Sequence, residues 1–179
     1  KPHTIDCLTF SGNGEPTLHP KFPEIVKDVK QLRDDQRPGV KLTVFSNGSQ
    51  LNSPEVFSAV SNVDMPMMKL DGGDAETIGK INRPVSSVHF ENIFERLKAL
   101  PRIIVQTMLL NGVVSNIQGV EYLALAEALK TLKPAVVHIY SIERPLAIKN
   151  VKPVNPKTLL EIQQDLSDQY ELKVTAFWR

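Results

Sequence analysis

Glu15 follows Gly12-Asn13-Gly14 at the exit of an apolar run, Ile5 to Phe10, and that combination can hold a cationic group. Glycines let backbone N–H and C=O groups approach a ligand with no Cβ in the way, and a carboxylate beside them suits an ammonium. A tight glycine turn with a solvated Glu is the plainer reading of the same residues. Small and polar residues also follow the later apolar runs, as Ser46-Asn47-Gly48, Asp71-Gly72-Gly73-Asp74, Asn111-Gly112 and Ser141-Ile142-Glu143-Arg144. Each alone is an ordinary turn sequence, but together they predict a binding rim along one edge of a sheet.

Other chemistries are disfavoured by residue type and spacing. Thr17 stands where a dinucleotide fingerprint needs its third glycine, and Pro16 and Pro20 interrupt the passage from strand to helix. There is no P-loop, no His-Glu-x-x-His, no Gly-x-Ser-x-Gly and no cysteine pair. His3, His19, His89 and His138 lack ligand spacing and read as structural or exposed. Cys7, the only cysteine, lies inside the first strand and reads as a small hydrophobe. Asp71 and Asp74 could hold Mg²⁺, but Asp74 before Ala75-Glu76-Thr77 reads better as a helix N-cap.

The elements that would position this rim alternate in type. Apolar runs at Val40 to Phe45, Met65 to Leu70, Ile103 to Leu110, Val136 to Tyr140 and Leu172 to Phe177 follow the first at the spacing of βα units. Most lack polar alternation, as expected of strands covered on both faces. Between them Ile25, Val29 and Leu32, then Phe90, Ile93, Phe94 and Leu97, then Val120, Leu123 and Ala126, then Leu159, Ile162 and Leu166 recur at helical spacing. Pro38-Gly39, Pro101 and Pro134 stop helices, Asp74 and Asn116 can cap helix starts, and Glu143 to Pro156 reads as a long surface loop. The class is α/β with parallel strands; periodicity leaves a barrel and an open doubly wound sheet equally open.

Composition sets outer limits. A chain of 179 residues with 41% hydrophobic content can bury one sizeable core, so a single domain is expected. Lys plus Arg number 21 and Asp plus Glu 20, a net charge of +1, so electrostatics do not demand a nucleic-acid partner. No apolar run approaches the roughly 18 residues of a spanning helix, and Lys1-Pro2-His3-Thr4 has no signal-peptide pattern. A cytoplasmic protein with no membrane partner is the expectation.

In order along the chain, these residues resemble the radical S-adenosylmethionine (radical SAM) superfamily. Phe10-Ser11-Gly12-Asn13-Gly14-Glu15-Pro16-Thr17-Leu18-His19-Pro20 is similar to its Gly-Gly-Glu-Pro segment, in the form used by the wyosine-synthesis-like subgroup of Fe–S oxidoreductases. Phe45-Ser46-Asn47-Gly48 resembles the Thr-Asn-Gly after that family's third strand. Lys69 to Thr77, Lys80-Ile81-Asn82-Arg83-Pro84 with Phe90-Glu91, Gln106 to Gly112 and His138 to Pro145 resemble the sections that follow.

The resemblance implies a partial TIM-like (β/α)6 barrel, a curved parallel sheet with its helices outside and the first βα unit missing. Residues 1–179 would be a truncated radical SAM core from the second βα unit onward. S-adenosylmethionine would lie across the carboxyl ends of the strands, with Gly12, Asn13, Gly14 and Glu15 holding its ammonium. Ser46, Asn47, Lys69 and Asp71 would lie near the ribose and the methionine carboxylate, Gln106 or Met108 would contribute from the next strand, and Tyr140 and Ser141 would approach the adenine.

Family members also carry Cys-x-x-x-Cys-x-x-Cys, whose thiolates hold a [4Fe–4S] cluster that reductively cleaves S-adenosylmethionine to a 5′-deoxyadenosyl radical for hydrogen abstraction. This chain lacks that segment and is expected to be inactive alone, either because the first unit lies outside it or as a cluster-free remnant. The substrate, whether tRNA, protein or metabolite, stays open. So does a non-catalytic βα module that binds a nucleotide or a protein partner. The edge strand Ile5 to Phe10, left with one side unpaired, is expected to be covered by a dimer or packing contact.

Overall fold

A computed structural model describes residues 5–85, 88–142 and 150–178. Its strands are β1 (Cys7–Phe10), β2 (Lys41–Ser46), β3 (Met65–Lys69), β4 (Ile104–Gly112), β5 (Val136–Ser141), β6 (Val151–Pro153) and β7 (Val174–Phe177). The helices are α1 (Phe22–Gln36), α2 (Pro54–Ser61), α3 (Ala75–Asn82), α4 (Phe90–Ala99), α5 (Gly119–Leu132) and α6 (Pro156–Tyr170), and a short 3₁₀ turn spans Pro16–Leu18. The main sheet runs β1-β2-β3-β4-β5-β7, every neighbouring pair parallel. Strands paired in chain order by right-handed crossovers place every helix on the same side. Successive helices accordingly touch, α1 with α2, α3 with α4, α4 with α5 and α5 with α6. This is the curved, singly wound sheet of a partial barrel with helices outside.

Register and burial separate the two faces of the sheet. Leu42 and Val44 of β2, Met68 of β3, Val105 and Leu109 of β4, and Val137 and Ile139 of β5 are buried against the helices. Their alternates are Phe45, Met67, Lys69, Gln106, Met108, His138, Tyr140 and Phe177, all exposed or half-buried. The expectation of strands covered on both faces is therefore corrected. Polar alternation was hidden because the open face itself carries Phe, Met and Tyr, so apolar residues stand at both periods of the strand. Towards the amino ends the open face closes, and Thr43 and Ile104 are buried there.

Two helical stripes also differ from the sequence reading. On α1 the core side is Phe22, Val26 and Arg33, while Ile25 and Leu32 are exposed. Arg33 is tolerated inside because its guanidinium donates to the Val40 carbonyl (2.5 Å) and to Asp64 (2.7 Å), which also accepts the Leu42 N–H (2.7 Å). On α5 the buried residues are Leu125, Ala126, Ala128, Leu129 and Leu132, with Val120 and Leu123 exposed. On α6 Leu159, Ile162 and Leu166 are buried as read. The stretch expected to be a surface loop contains β6, which pairs antiparallel with the end of β4 through Leu110↔Pro153 and Asn111↔Lys152. Glu143, Arg144 and the rest of 143–149 lie outside the described residues.

Candidate functional site

Glu15 is the N-cap of the 3₁₀ turn, and its carboxylate joins the ends of β1 and β2. Oε1 accepts the Thr17 N–H (3.2 Å), the Thr17 hydroxyl (2.5 Å) and the Ser46 hydroxyl (2.8 Å), while Oε2 accepts the Asn47 N–H (2.7 Å). Ser46 in turn accepts the Gly48 N–H at 3.0 Å. Glu15 is thus neither the solvated side chain of a plain turn nor a free anion, although Oε2 keeps lone-pair capacity for one more donor. Ahead of it Gly12, Asn13 and Gly14 are exposed, and a Cβ built on Gly14 would meet nothing within 4 Å. The backbone there faces open space.

The second cluster is built around Asp71, just beyond β3 and 0% exposed. Oδ1 accepts the Met108 N–H (2.8 Å); Oδ2 accepts Asn82 Nδ2 (2.6 Å) and pairs with Lys69 Nζ (2.7 Å). Asn116, equally buried, donates Nδ2 to the carbonyls of Asp71 and Met108 and accepts the Leu110 N–H on Oδ1, each at 2.8 Å. Asn116 is therefore a buried tie between the ends of β3 and β4; the expected cap is corrected, because the N-cap of α5 is Gln118, which makes no side-chain bond. Asp74 does cap α3, accepting the Thr77 N–H (2.7 Å) and hydroxyl (2.8 Å). Asp71 lines no open surface itself. It positions Lys69, whose side chain is 31% exposed on the open face. Burial alone would pull the Lys69 pKa down, but the Asp71 charge, with Tyr140 beside it, outweighs burial and holds it above the ordinary lysine value. Lys69 is a cation at neutral pH.

Lys69 Nζ lies 3.5 Å from the Tyr140 hydroxyl and 5.9 Å from its ring centroid, so β3 and β5 meet across the open face. The ladder places Lys69, Gln106, His138 and Thr175 at one level on four strands. Met108, Tyr140 and Phe177 form the next level towards the rim. This polar row between apolar rows was invisible in sequence, because each member comes from a different strand. His138 packs edge-on against Phe177 at 5.0 Å, and burial lowers its pKa.

The structure thus brings Glu15, Ser46 and Asn47 together at one end of the rim, and Lys69, Asp71, Met108 and Tyr140 together in the middle, with Gln106 level with Lys69. Ser141 is turned away: its hydroxyl donates to the Leu109 carbonyl (2.9 Å) and accepts the Val154 N–H (2.7 Å), fastening the start of α6. Glycines of the rim also divide by role. A Cβ on Gly73 would lie 2.0 Å from the Ala124 carbonyl oxygen of α5, and one on Gly112 2.1 Å from that of Asn150. Those two glycines serve packing. Among the described residues no group of three His, Cys, Asp or Glu could hold a metal ion, and no helix is long and apolar enough to cross a membrane.

No family model matches the chain. It is 29% identical over 153 residues to a UPF0026 protein of Helicobacter pylori, covering 83% of this chain and 47% of that one. It is 32% identical over 150 residues to a UPF0026 protein of Synechocystis, covering 80% and 53%. The chain therefore spans about half the length of the curated relatives it matches. Three solved structures superpose over most of it. A domain of pyruvate-formate lyase-activating enzyme from Bacteroides vulgatus gives a TM-score of 0.69 at 22% identity, covering 96% of this chain and 98% of that one. TYW1 with a lysine–pyruvate adduct bound gives 0.72 at 19% identity, covering 91% and 50%. A radical SAM methyltransferase from Sphaerobacter thermophilus gives 0.67 at 15% identity, covering 98% and 51%. The fold is that of the radical S-adenosylmethionine enzymes, the family that the strand-end residues resemble.

Proposed function

We propose that the rim binds S-adenosylmethionine and that the protein to which these residues belong is a radical SAM enzyme, abstracting hydrogen from its substrate. One observation carries the reading. At a single carboxyl edge an exposed glycine backbone beside a fixed carboxylate is followed, two strands on, by a lysine kept cationic. The cofactor offers an ammonium at one end and a ribose and adenine at the other. The Glu15 carboxylate is bonded to the end of β2 and Lys69 projects from β3, so the anionic and cationic groups stand on neighbouring strands. In this reading the Gly12–Gly14 carbonyls and Glu15 Oε2 hold the ammonium, and Asn47 bounds the same end. Lys69, Gln106, Met108 and Tyr140 receive the nucleoside end; Ser46 supports Glu15 from behind, Asp71 supports Lys69 and Met108, and Ser141 ties β5 to the end of β4.

Bound there, S-adenosylmethionine supplies radical chemistry once its sulfonium bond is cleaved reductively. The cluster that delivers the electron does not fit the residues present. Cys7 is the only cysteine of the sequence and lies in β1, its Sγ 3.7 Å from the Leu8 carbonyl oxygen and 3.8 Å from the Thr9 hydroxyl. Three thiolates would have to come from outside these residues.

Calorimetry with S-adenosylmethionine tests the rim without the cluster. Gly14→Ala adds a methyl group only to open space, so it should leave thermal stability unchanged while weakening binding by crowding the backbone approach. Unchanged affinity in that variant would remove the glycine turn from the cofactor site.

A further inference from the structure

A cleft of about 600 Å³ opens beside Lys69, between the segment after β2 and the start of α4. That volume falls in the range of small-molecule sites. Ile78, Val88, Phe90 and Ile93 give it an apolar wall, and Asn47, Gln50, Lys69 and Arg83 bring its polar atoms. No acidic side chain lines it among the described residues. Lys69 is neutralised by Asp71 behind it, so the uncompensated charge belongs to Arg83, which makes no ion pair among the described residues. Arg83 ends α3 in the left-handed conformation (φ 47°), and Pro84 blocks continuation of the helix, which turns the arginine to the cleft. A cation is also favoured at that helix end for its own sake. The one-signed lining is what separates this cleft from the one between α1 and α2, where Lys27 and Lys30 face Asp34, Asp35 and Glu55.

We propose that this cleft binds an organic anion, a carboxylate or phosphate on an apolar body, with the anionic group on Arg83 and the body against Phe90 and Ile93. It shares only Asn47 and Lys69 with the proposed cofactor rim, and calling its occupant the substrate rests on that reading.

Methyl-detected NMR with three simple probes, hexanoate, hexyl phosphate and hexanol, tests the cleft with no cluster present. The anions should move the Ile78 and Ile93 methyl signals and bind about tenfold more tightly than hexanol, the effect of one charge-assisted hydrogen bond. The tighter of the two anions identifies the head group. Arg83→Gln should abolish the preference. Arg102→Gln should keep it, since Arg102 is also left-handed (φ 52°) but lies before β4, at the opposite end of the sheet. Equal affinity for hexanol and hexanoate, or a preference that survives Arg83→Gln, overturns the proposal. S-adenosylmethionine should bind together with hexanoate. If it displaces hexanoate, the cleft belongs to the cofactor and the proposal falls while the cofactor reading stands; if hexanoate binds as expected and S-adenosylmethionine does not bind, the reverse holds.

Discussion

Asp71 is a carboxylate with no solvent contact, and it persists there because Lys69, Asn82 and the Met108 N–H all donate to it. Asp71→Asn would turn an amide towards two donors, Lys69 and Asn82, and leave the ammonium half-buried without its counter-charge. We expect a loss of about 2–4 kcal/mol in stability by urea titration, somewhat under the roughly 3–5 kcal/mol for breaking a fully buried pair, because the Lys69 end is part-exposed. We also expect the Lys69 pKa, now above its ordinary value, to fall, because burial then opposes the charge with only Tyr140 left to support it. Titration of the lysine by NMR checks the sign, and an unmoved Lys69 would show that Asp71 does not control it. Glu15→Gln carries two consequences for the same kind of reason. The amide can still accept at Oε1 but presents donors to the Asn47 N–H, so we expect weaker cofactor binding by about 1.5–3 kcal/mol together with a lower Tm. Gly14→Ala, by contrast, is expected to separate the two effects.

At the scale of elements, α5 and α6 are joined by the Tyr122 hydroxyl, which donates to the Asp165 carboxylate. Burial first, and then that carboxylate, hold the phenol well above the usual tyrosine range, so the donor keeps its proton into alkaline solution. Tyr122→Phe keeps the packing and removes the donor. Its cost should be about 1–2 kcal/mol, and unfolding followed by circular dichroism reads it. Arg33 does the corresponding work between α1, the start of β2 and the α2–β3 turn that holds Asp64. Arg33→Met should cost more than an exposed ion pair would, because the Val40 carbonyl loses a donor inside the core.

The whole molecule has one face of its sheet packed and one open, and His138 lies in the middle of the open one. Burial lowers its folded pKa below the ordinary value of 6.5. The unfolded chain therefore binds the proton first as pH falls: stability is full above about pH 6.5 and declines below it towards the folded pKa. Urea midpoints on either side of that value, compared with those of His138→Gln, should show a flatter acid limb in the variant. Cluster chemistry is also decided at this scale. Reconstitution of residues 1–179 with iron and sulfide should leave the protein colourless, since one thiolate is available where three are needed. A stoichiometric charge-transfer absorption would overturn the assignment of the ligands to another segment.

What the sequence determined by itself was whatever depends on neighbours a few residues away. The order of the long strands, the Asp74 cap, the buried stripe of α6 and the succession of polar residues at strand ends all follow from local period and turn chemistry. The tertiary structure decided what depends on distant partners. Arg33 rather than Leu32 faces inward because Asp64, 31 residues away, and Val40 receive its guanidinium. Asn116 is a buried tie rather than a cap because the Asp71 carbonyl, 45 residues away, lies beside it. Gly73 is required by the backbone of α5. The row of Lys69, Gln106, His138 and Thr175 exists only once four strands are in register, and no periodicity within one strand encodes its neighbour's alignment.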